Sequence, residues 1–292
     1  TDHECFTLNE AIEKIAKGMK VLIREGSAAK NFDSLHSLIK THTNRTMVCT
    51  DDCHPEDLID GHINRLVKRS LHLGYDIFDV LQVVSVNPIK HYTLDLGLLQ
   101  QGDSADFIVV DNLENLTVLS NYIKGENILG TKESQTETKE KIKIDYVFTE
   151  NIDINSIKIY PKSTAIKAIQ VIEGELVTES VTYNVKTENQ SIISDIENDF
   201  LKIVVVNRYR KNQVGVGFIK GFGLKKGAIA ESIAHDSHHI IAVGVDDESI
   251  YTAIDYILKQ KGGVCYNDGD KIIGLSLPVY GLISDDSANV VA

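Results

Sequence analysis

Short apolar runs alternate with amphipathic segments over the first 95 residues. A helix is predicted to begin near Thr7, which can form a capping box with Glu10. The apolar positions that follow recur at helical spacing: Leu8, Ile12, Ile15, Ala16 and Met19. The runs 21-VLIREG-26 and 46-TMVCT-50 are typical of buried parallel strands. Further helices are predicted around 35–39, over 59–73, and over 76–85 with an end near Asn87-Pro88. Polar residues therefore follow each strand, where parallel α/β folds and barrels build their sites.

The pattern changes after residue 95. Residues 96–130 carry frequent turn signals and one strong strand, 106-DFIVVD-111, which predicts a small β-layer. The polar stretch 131–141 is predicted to be a linker or an exposed loop.

Residues 142–292 predict a separate α+β domain. A small-residue helix is predicted over 227–234 and a second helix over 250–258, closed by Gly262-Gly263. Asn267-Asp268-Gly269 predicts a hairpin turn between the last two strands. The predicted strands are 156–160, 165–172, 201–207, 240–245, 263–267 and 270–275.

Composition narrows the possible partners. The 292 residues carry a formal net charge of -12, which argues against nucleic acid or an anionic membrane as the main partner. No apolar run approaches the ~20 residues that a membrane-spanning helix needs. The four cysteines form no CxxC pair, so we expect free thiols and a cytoplasmic location.

The candidate chemistry lies just after the predicted strands. Asp51 ends 46-TMVCT-50, where a carboxylate can bind a metal or take a proton from a metal-bound water; capping of the next helix is the alternative. The start, 1-TDHE-4, brings His3 to the same edge if Thr1 ends a strand. The position of His54 and that of His62, each taken alone, favour a structural role.

Two further clusters carry polar residues. Arg24, Glu25 and Ser27 close the first strand; Arg24 either anchors a polar substrate or forms an ion pair that orients the loop. In the second domain, 235-HDSHH-239 either binds a metal, contributes to a site in the first domain, or is a hydrogen-bonded connection. The glycines of 215-GVGFIKGFG-223 are not followed by a dinucleotide-binding βαβ unit, and no GxSxG motif is present.

Seven motifs occur in an order that identifies a family. They are TDHE, REGSA, CTDDCHPEDLIDGHINR, NPIKHYTLDLG, GDSADFIVVD, GAIAESIAHDSHH and LPVYGLISD. Together they resemble the C-terminal half of bacterial adenine deaminase, in the amidohydrolase superfamily, over essentially the whole chain.

The resemblance implies an α/β fold that is part of a metal-binding (β/α)8 barrel. Residues 1–95 would supply its last three strands, 96–130 a segment of a small β-sandwich, and 142–292 the C-terminal domain. The implied reaction converts adenine to hypoxanthine and ammonia, with hydroxide activated by Mn or Fe at a binuclear centre. The complete enzyme is expected to be a homo-oligomer that acts in purine salvage.

Site residues carry over from the resemblance by position. His3 and Asp51 match metal ligands, and Asp51 also shuttles the proton. Substrate contacts are implied on the loops that follow the strands, at Arg24, Glu25, Ser27 and His54. His235, Asp236 and His238 fall in a family motif of the C-terminal domain.

The sequence also departs from the family pattern. Cys53 stands where the family has Arg, and a thiol cannot replace that fork of donors; His239 stands where it has Asn. We expect the remaining ligands upstream of Thr1, residues 1–95 to fold poorly by themselves, and the chain alone to be inactive. The alternatives are another cyclic-amide amidohydrolase, a non-catalytic purine-binding paralogue, or a stand-alone ligand-binding module at 142–292.

Overall fold

The computed structural model describes residues 1–129 and 151–291 of the chain. Contacts between Cα atoms divide it into two compact units, Thr1–Lys141 and Ile142–Val291, hereafter the first and second units. The stretch 131–141, predicted to be a linker or exposed loop, lies outside the described residues. None of the helices in the described ranges is long and apolar enough to cross a membrane.

The first unit is built around two parallel strands, β1 (Val21–Arg24) and β2 (Thr46–Cys49), paired with Arg24 opposite Cys49. Asp2 adds a parallel bridge to Val21 on the other side of β1. The predicted parallel strands are therefore confirmed, and three chain segments end at one edge. The surrounding helices are α1 (Leu8–Ala16), α2 (Phe32–Leu35), α3 (Leu38–Thr41), α4 (Pro55–Asp60), α5 (Ile63–His72), α6 (Ile77–Leu81) and α7 (Asn87–Tyr92), with a 3-10 turn at Thr43–Arg45.

Two predicted helix boundaries in this unit are wrong. The helix predicted over 59–73 is interrupted at Gly61, whose φ of 143° no helix contains. The helix predicted to end near Pro88 continues through a π-helical turn, Gln82–Val86, into α7. Pro88 follows the π-helical turn directly, and without an N–H it cannot donate the i→i−4 hydrogen bond of a regular α-helix.

Residues 96–129 fold against the same core. They form a three-stranded antiparallel sheet of β3 (Phe107–Val110), β4 (Val118–Ile123) and β5 (Glu126–Asn127), which includes the strand predicted at 106–111. Leu116 is buried in the hydrophobic cluster that contains Ile23 and Leu38, and Val110 packs against it. This sheet therefore covers part of the apolar surface of β1, β2 and their helices.

The second unit contains an eight-stranded sheet. Its strands are β6 (Ala165–Val171), β7 (Thr178–Asn184), β10 (Phe200–Val206), β11 (Val214–Lys220), β12 (Ala228–Ala234), β13 (His239–Gly244), β14 (Gly263–Asn267) and β15 (Ile272–Ser276). Their order in the sheet is β15-β14-β12-β13-β10-β11-β6-β7, and all described pairs are antiparallel except β6 with β11. A hairpin, β8 (Lys186–Glu188) and β9 (Ser191–Ile193), and helices α8 (Asp247–Gln260) and α9 (Ala288–Val291) complete the unit.

Helix α8 packs on one face of this sheet. Its fully buried residues Ile250, Ala253, Ile254 and Ile257 lie in one cluster with small residues of β12 and β13. Gly244 shows how close the approach is, since an added Cβ would lie 2.5 Å from Ile250 Cγ1.

The helix predicted over 227–234 is wrong, because this segment is the central strand β12 between β13 and β14. Its buried positions alternate at Ala228, Ala230 and Ser232, the period of a strand. Small side chains suit the narrow space below α8, and that packing outweighs the helix propensity of alanine.

Of the other predicted elements in the second unit, some are confirmed and some are wrong. The strand predicted at 156–160 is wrong, since a 3-10 turn, Ile154–Ile157, occupies its start after the capping residue Asp153. The hairpin at Asn267-Asp268-Gly269 is confirmed, with Gly269 at a φ of 94°. In the second unit, strands β7, β8, β9 and β11 were not predicted.

Candidate active site

Three side chains that follow the parallel segments lie together. His3 and Glu4 come directly after the Asp2 bridge, and Asp51 follows β2. His3 Nε2 is 3.1 Å from Glu4 Oε1 and 3.7 Å from Asp51 Oδ2. All three donor atoms lie within 4.8 Å of one another, and within residues 1–129 and 151–291 no other group meets this criterion. We call these three residues the acid–histidine cluster.

Arg24 joins the two carboxylates of this cluster. Its side chain is only 5% exposed; Nη1 donates to Asp51 Oδ2 at 2.7 Å, and Nη1 and Nη2 donate to the Glu4 carboxylate at 2.9 and 3.0 Å. Burial alone lowers the pKa of the guanidinium, but the bonds to Asp51 and Glu4 outweigh it and raise that pKa. Of the two predicted roles for Arg24, substrate anchor or ion pair, the structure displays the ion pair.

The loops after β1 and β2 approach each other closely. Asp51 has a φ of 60°, a left-handed conformation that Asp adopts more readily than most residues. Gly26 lies against the second loop, since an added Cβ would be 2.8 Å from the carbonyl oxygens of Thr50 and Asp52. Ser27 N donates to Asp52 O at 2.9 Å, which fastens the two loops together.

Glu25, Ser27 and His54 lie on these loops, and each has a local partner. Glu25 Oε2 accepts from Arg69 Nη1 at 3.1 Å. Ser27 Oγ donates to the Asp57 carboxylate and accepts from His54 N at 2.8 Å. The His54 side chain is 66% exposed and lies outside the acid–histidine cluster.

A pocket of about 160 Å³ opens beside the loops. His62 Nε2, at its wall, is 2.9 Å from Thr50 Oγ1. Cys53, which departs from the family pattern, also lines it. The wall carries both signs of charge and includes Glu25, Lys30, Asp57, Arg65 and Arg69.

His235 and His238 lie on the connection between β12 and β13, and His239 is the first residue of β13. His235 Nε2 is 2.8 Å from Asp236 Oδ1, and the rings of His235 and His238 are 5.8 Å apart. The His239 ring is 5.6 Å from that of Tyr209. His235, Asp236 and His238 therefore form a local group, and they do not meet the distance criterion that the acid–histidine cluster meets.

Two residues of the site were not singled out by the sequence analysis. Glu4 was visible as the second acid of TDHE and adjoins His3. Asn31 Nδ2 donates to His3 O and to Cys5 O, which lie 28 and 26 positions earlier in the chain. No local sequence pattern indicates such contacts.

Comparison with known proteins shows which family the chain belongs to. Residues 4–150, half of the chain, match the model of the amidohydrolase family. The chain belongs to the amidohydrolase family. A second model, the adenine deaminase C-terminal domain, matches residues 175–292 of this amidohydrolase chain.

The curated relatives most similar to this amidohydrolase chain include several adenine deaminases. It is 46% identical over 98% of its length to an adenine deaminase of Parabacteroides distasonis, and 45% identical over its full length to one of Methanosarcina mazei. It covers 53% and 55% of these two proteins, so the chain spans about half the length of the curated relatives it matches.

Solved structures resemble the chain only slightly. A β-aspartyl dipeptidase of Fervidobacterium islandicum matches 41% of this chain and 33% of its own, at 19% identity and a TM-score of 0.34.

Proposed function

We propose that the chain is the C-terminal portion of a metal-dependent adenine deaminase. Residues 1–95 are assigned to the last three strands of a (β/α)8 barrel, 96–130 to a small β-sandwich, and 142–292 to the C-terminal domain. The observation that carries the proposal is the acid–histidine cluster, at the carboxyl ends of parallel segments in a chain whose curated relatives are adenine deaminases.

The donor set of the cluster fits a divalent transition metal. An imidazole nitrogen and carboxylate oxygens are ligands that Mn and Fe accept. We assign His3 and Asp51 as ligands and Glu4 as a third donor from the same edge. Arg24 does not exclude a cation, because each carboxylate has about four lone-pair sites and the guanidinium uses only some. The metal, when bound, supplies Lewis acidity that activates water near neutral pH.

The proposed reaction adds water to the amino-bearing carbon of adenine. A C–O bond forms, the C–N bond breaks, and the products are hypoxanthine and ammonia. The Asp51 carboxylate accepts a proton from the water and transfers it to the departing nitrogen. Arg24 orients Asp51 and Glu4. Glu25, Ser27 and His54 are assigned to the loops that contact the purine.

An activity assay tests the substrate. Ammonia release from adenine with Mn²⁺ present would be measured for the chain alone and for a chimera, in which the first half of the P. distasonis relative precedes Thr1. We expect turnover by the chimera and none by the chain. If the chimera hydrolyses a hydantoin or a dihydropyrimidine but not adenine, the protein is a cyclic-amide amidohydrolase and adenine is not its substrate. Purine binding by the chimera without any turnover would support a non-catalytic paralogue.

Substitution of Asp51 tests the metal assignment. Asp51→Asn in the chimera is expected to weaken Mn²⁺ binding by at least about tenfold, because removing a ligand costs no less than removing an outer-shell partner. Asp52→Asn is the matched control, with the same charge change one residue away and outside the cluster. Equal Mn²⁺ affinity of the two variants would remove Asp51 from the metal site.

A further inference from the structure

Asn31 is a buried residue whose side-chain amide forms hydrogen bonds with main-chain groups. It is 5% exposed and precedes α2 without capping it through its side chain. Its Oδ1 accepts from Arg24 N at 2.7 Å, and its Nδ2 donates to His3 O at 3.3 Å and to Cys5 O at 3.1 Å. Its own N donates to Arg24 O at 2.9 Å. One residue thus joins the end of β1 to the segment that carries His3 and Glu4.

The position of these bonds matters because the strand pairing stops just before them. Asp2 N donates to Lys20 O and Leu22 N donates to Asp2 O, which hold the chain at residue 2 only. Beyond that point the two carbonyls bonded by Asn31, those of His3 and Cys5, lie on either side of Glu4. Glu4 N and Cys5 Sγ donate to Asp2 Oδ1 at 3.1 and 3.0 Å, but both of these bonds lie within the segment. The Asn31 amide instead joins the main chain of this segment to the end of β1.

The same amide also fixes the other half of the cluster. Asn31 is bonded to both main-chain groups of Arg24, whose guanidinium holds Glu4 and Asp51. A shift of Asn31 would therefore move the main chain of His3 and Glu4 and the base of the Arg24 side chain together.

We propose that Asn31 is a positioning residue of the metal centre, which sets the geometry of the acid–histidine cluster without contributing a ligand. The inference rests on the proposed function in one respect, the binding of a metal by His3 and Asp51. Groups that orient metal ligands typically change metal affinity by 10- to 100-fold when they are removed.

Two variants and one matched control isolate this role. Asn31→Asp keeps the shape but replaces two N–H donors by an oxygen that faces two carbonyl oxygens, and Asn31→Ala removes the amide. Asn87→Ala is the control: Asn87 is 4% exposed, and its Nδ2 donates to Thr43 O and Thr46 O, both at 2.7 Å. Thr46 begins β2, at the opposite end of that strand from Asp51. The control thus removes an equivalent amide from the same unit, away from the cluster.

The experiment measures Mn²⁺ binding and amide hydrogen exchange on the full 292-residue chain. Binding is followed by loss of the free Mn²⁺ electron paramagnetic resonance signal, and thermal melting shows that each variant is folded. We expect Asn31→Asp and Asn31→Ala to weaken Mn²⁺ binding by about 10- to 100-fold and to speed exchange of the Leu22 amide, which donates to Asp2 O. Asn87→Ala should melt at a lower temperature, with Mn²⁺ affinity and Leu22 exchange unchanged.

The outcomes separate this inference from the proposed function. If His3→Ala binds Mn²⁺ as the unmodified chain does, the metal assignment of His3 fails, and Leu22 exchange alone decides whether Asn31 holds the segment. If His3→Ala abolishes binding while the Asn31 variants match Asn87→Ala in Mn²⁺ affinity, the positioning role is wrong and the metal centre stands. Leu22 exchange that is the same in all three Asn variants would also overturn the positioning role.

Discussion

At the scale of single residues, surroundings distinguish side chains of one type. His3 has two carboxylates within 4 Å, Glu4 at 3.1 Å and Asp51 at 3.7 Å. His54 has one, Glu56 at 3.6 Å, and its side chain is 66% exposed. Both histidines lie shortly after a parallel segment, and the number of nearby carboxylates distinguishes their surroundings.

Glu231 offers a pH test at this scale. Burial on β12 raises the pKa of its carboxyl group, and His235 offsets this only in part. Because the pKa of this carboxyl group is higher in the folded state, its protonated form contributes its full share of stability below the unfolded pKa, about 4.3. That contribution is lost as the pH rises through the folded pKa. Glu231→Gln removes the ionisation, so it should raise the melting temperature of the second unit by about 2 °C at pH 8 and have little effect near pH 3.5.

Differential scanning calorimetry at the two pH values checks this expectation. Glu179→Gln, on β7, is the control because Glu179 is exposed. Its substitution should shift the melting temperature by the same amount at pH 3.5 and at pH 8. A Glu231→Gln shift that is the same at pH 3.5 and pH 8 would contradict the role of burial.

At the scale of elements, helix starts follow from local chemistry. Thr7, Asp76 and Asp246 each accept a main-chain N–H of the helix that follows. Such bonds join residues two or three positions apart, so they can form wherever the sequence supplies them. The starts of α1, α6 and α8 are therefore set independently of the rest of the fold.

Removing the cap of α8 should have a measurable cost. Asp246 Oδ1 accepts from Ser249 N at 2.7 Å, and Oδ2 accepts from Ser249 Oγ at 2.8 Å. Asp246→Ala should lower the free energy of unfolding by about 1 kcal/mol, measured by urea titration. Glu248→Ala, an exposed acid in the same first turn, tests charge without capping and should cost only about 0.3–0.5 kcal/mol. Equal losses would assign the effect to the helix dipole alone.

At the scale of the whole molecule, each unit has a core of its own. Leu38 is fully buried in the cluster of the first unit, and Ile254 is fully buried in that of the second. Separate cores predict that each unit unfolds according to its own packing.

Core truncations test this independence by calorimetry. Ile254→Ala and Leu38→Ala should each cost about 2–5 kcal/mol and lower only the transition of the unit that contains the residue. Ile273→Ala and Leu73→Ala, at positions 61% and 53% exposed, are the matched controls and should change little. A single transition that both core variants lower equally would show that the units unfold together.

Several features of the fold and site were predictable because their cause is local. The run 46-TMVCT-50 has an apolar centre, Met47-Val48-Cys49, so it predicted a buried parallel strand and placed Asp51 at its end. Segment 227–234 was predicted to be a helix because alanine has a high helix propensity. Pairing with β13 and β14 makes it a strand instead. No local pattern encodes β14, whose residues pair with residues of β12 that lie 33 to 39 positions earlier in the chain.

The sequence by itself determined which residues end the strands, where the main helices start, and which motifs mark the amidohydrolase family. These depend on spacing, capping and composition, which act over a few residues. Only the tertiary structure decided that Glu4 joins His3 and Asp51, that Arg24 pairs with both acids, and that Asn31 ties the segment in place. Those contacts join residues 20 to 48 positions apart. The pairing of β1 with Asp2 and β2 brings them together, and the surrounding core holds that pairing.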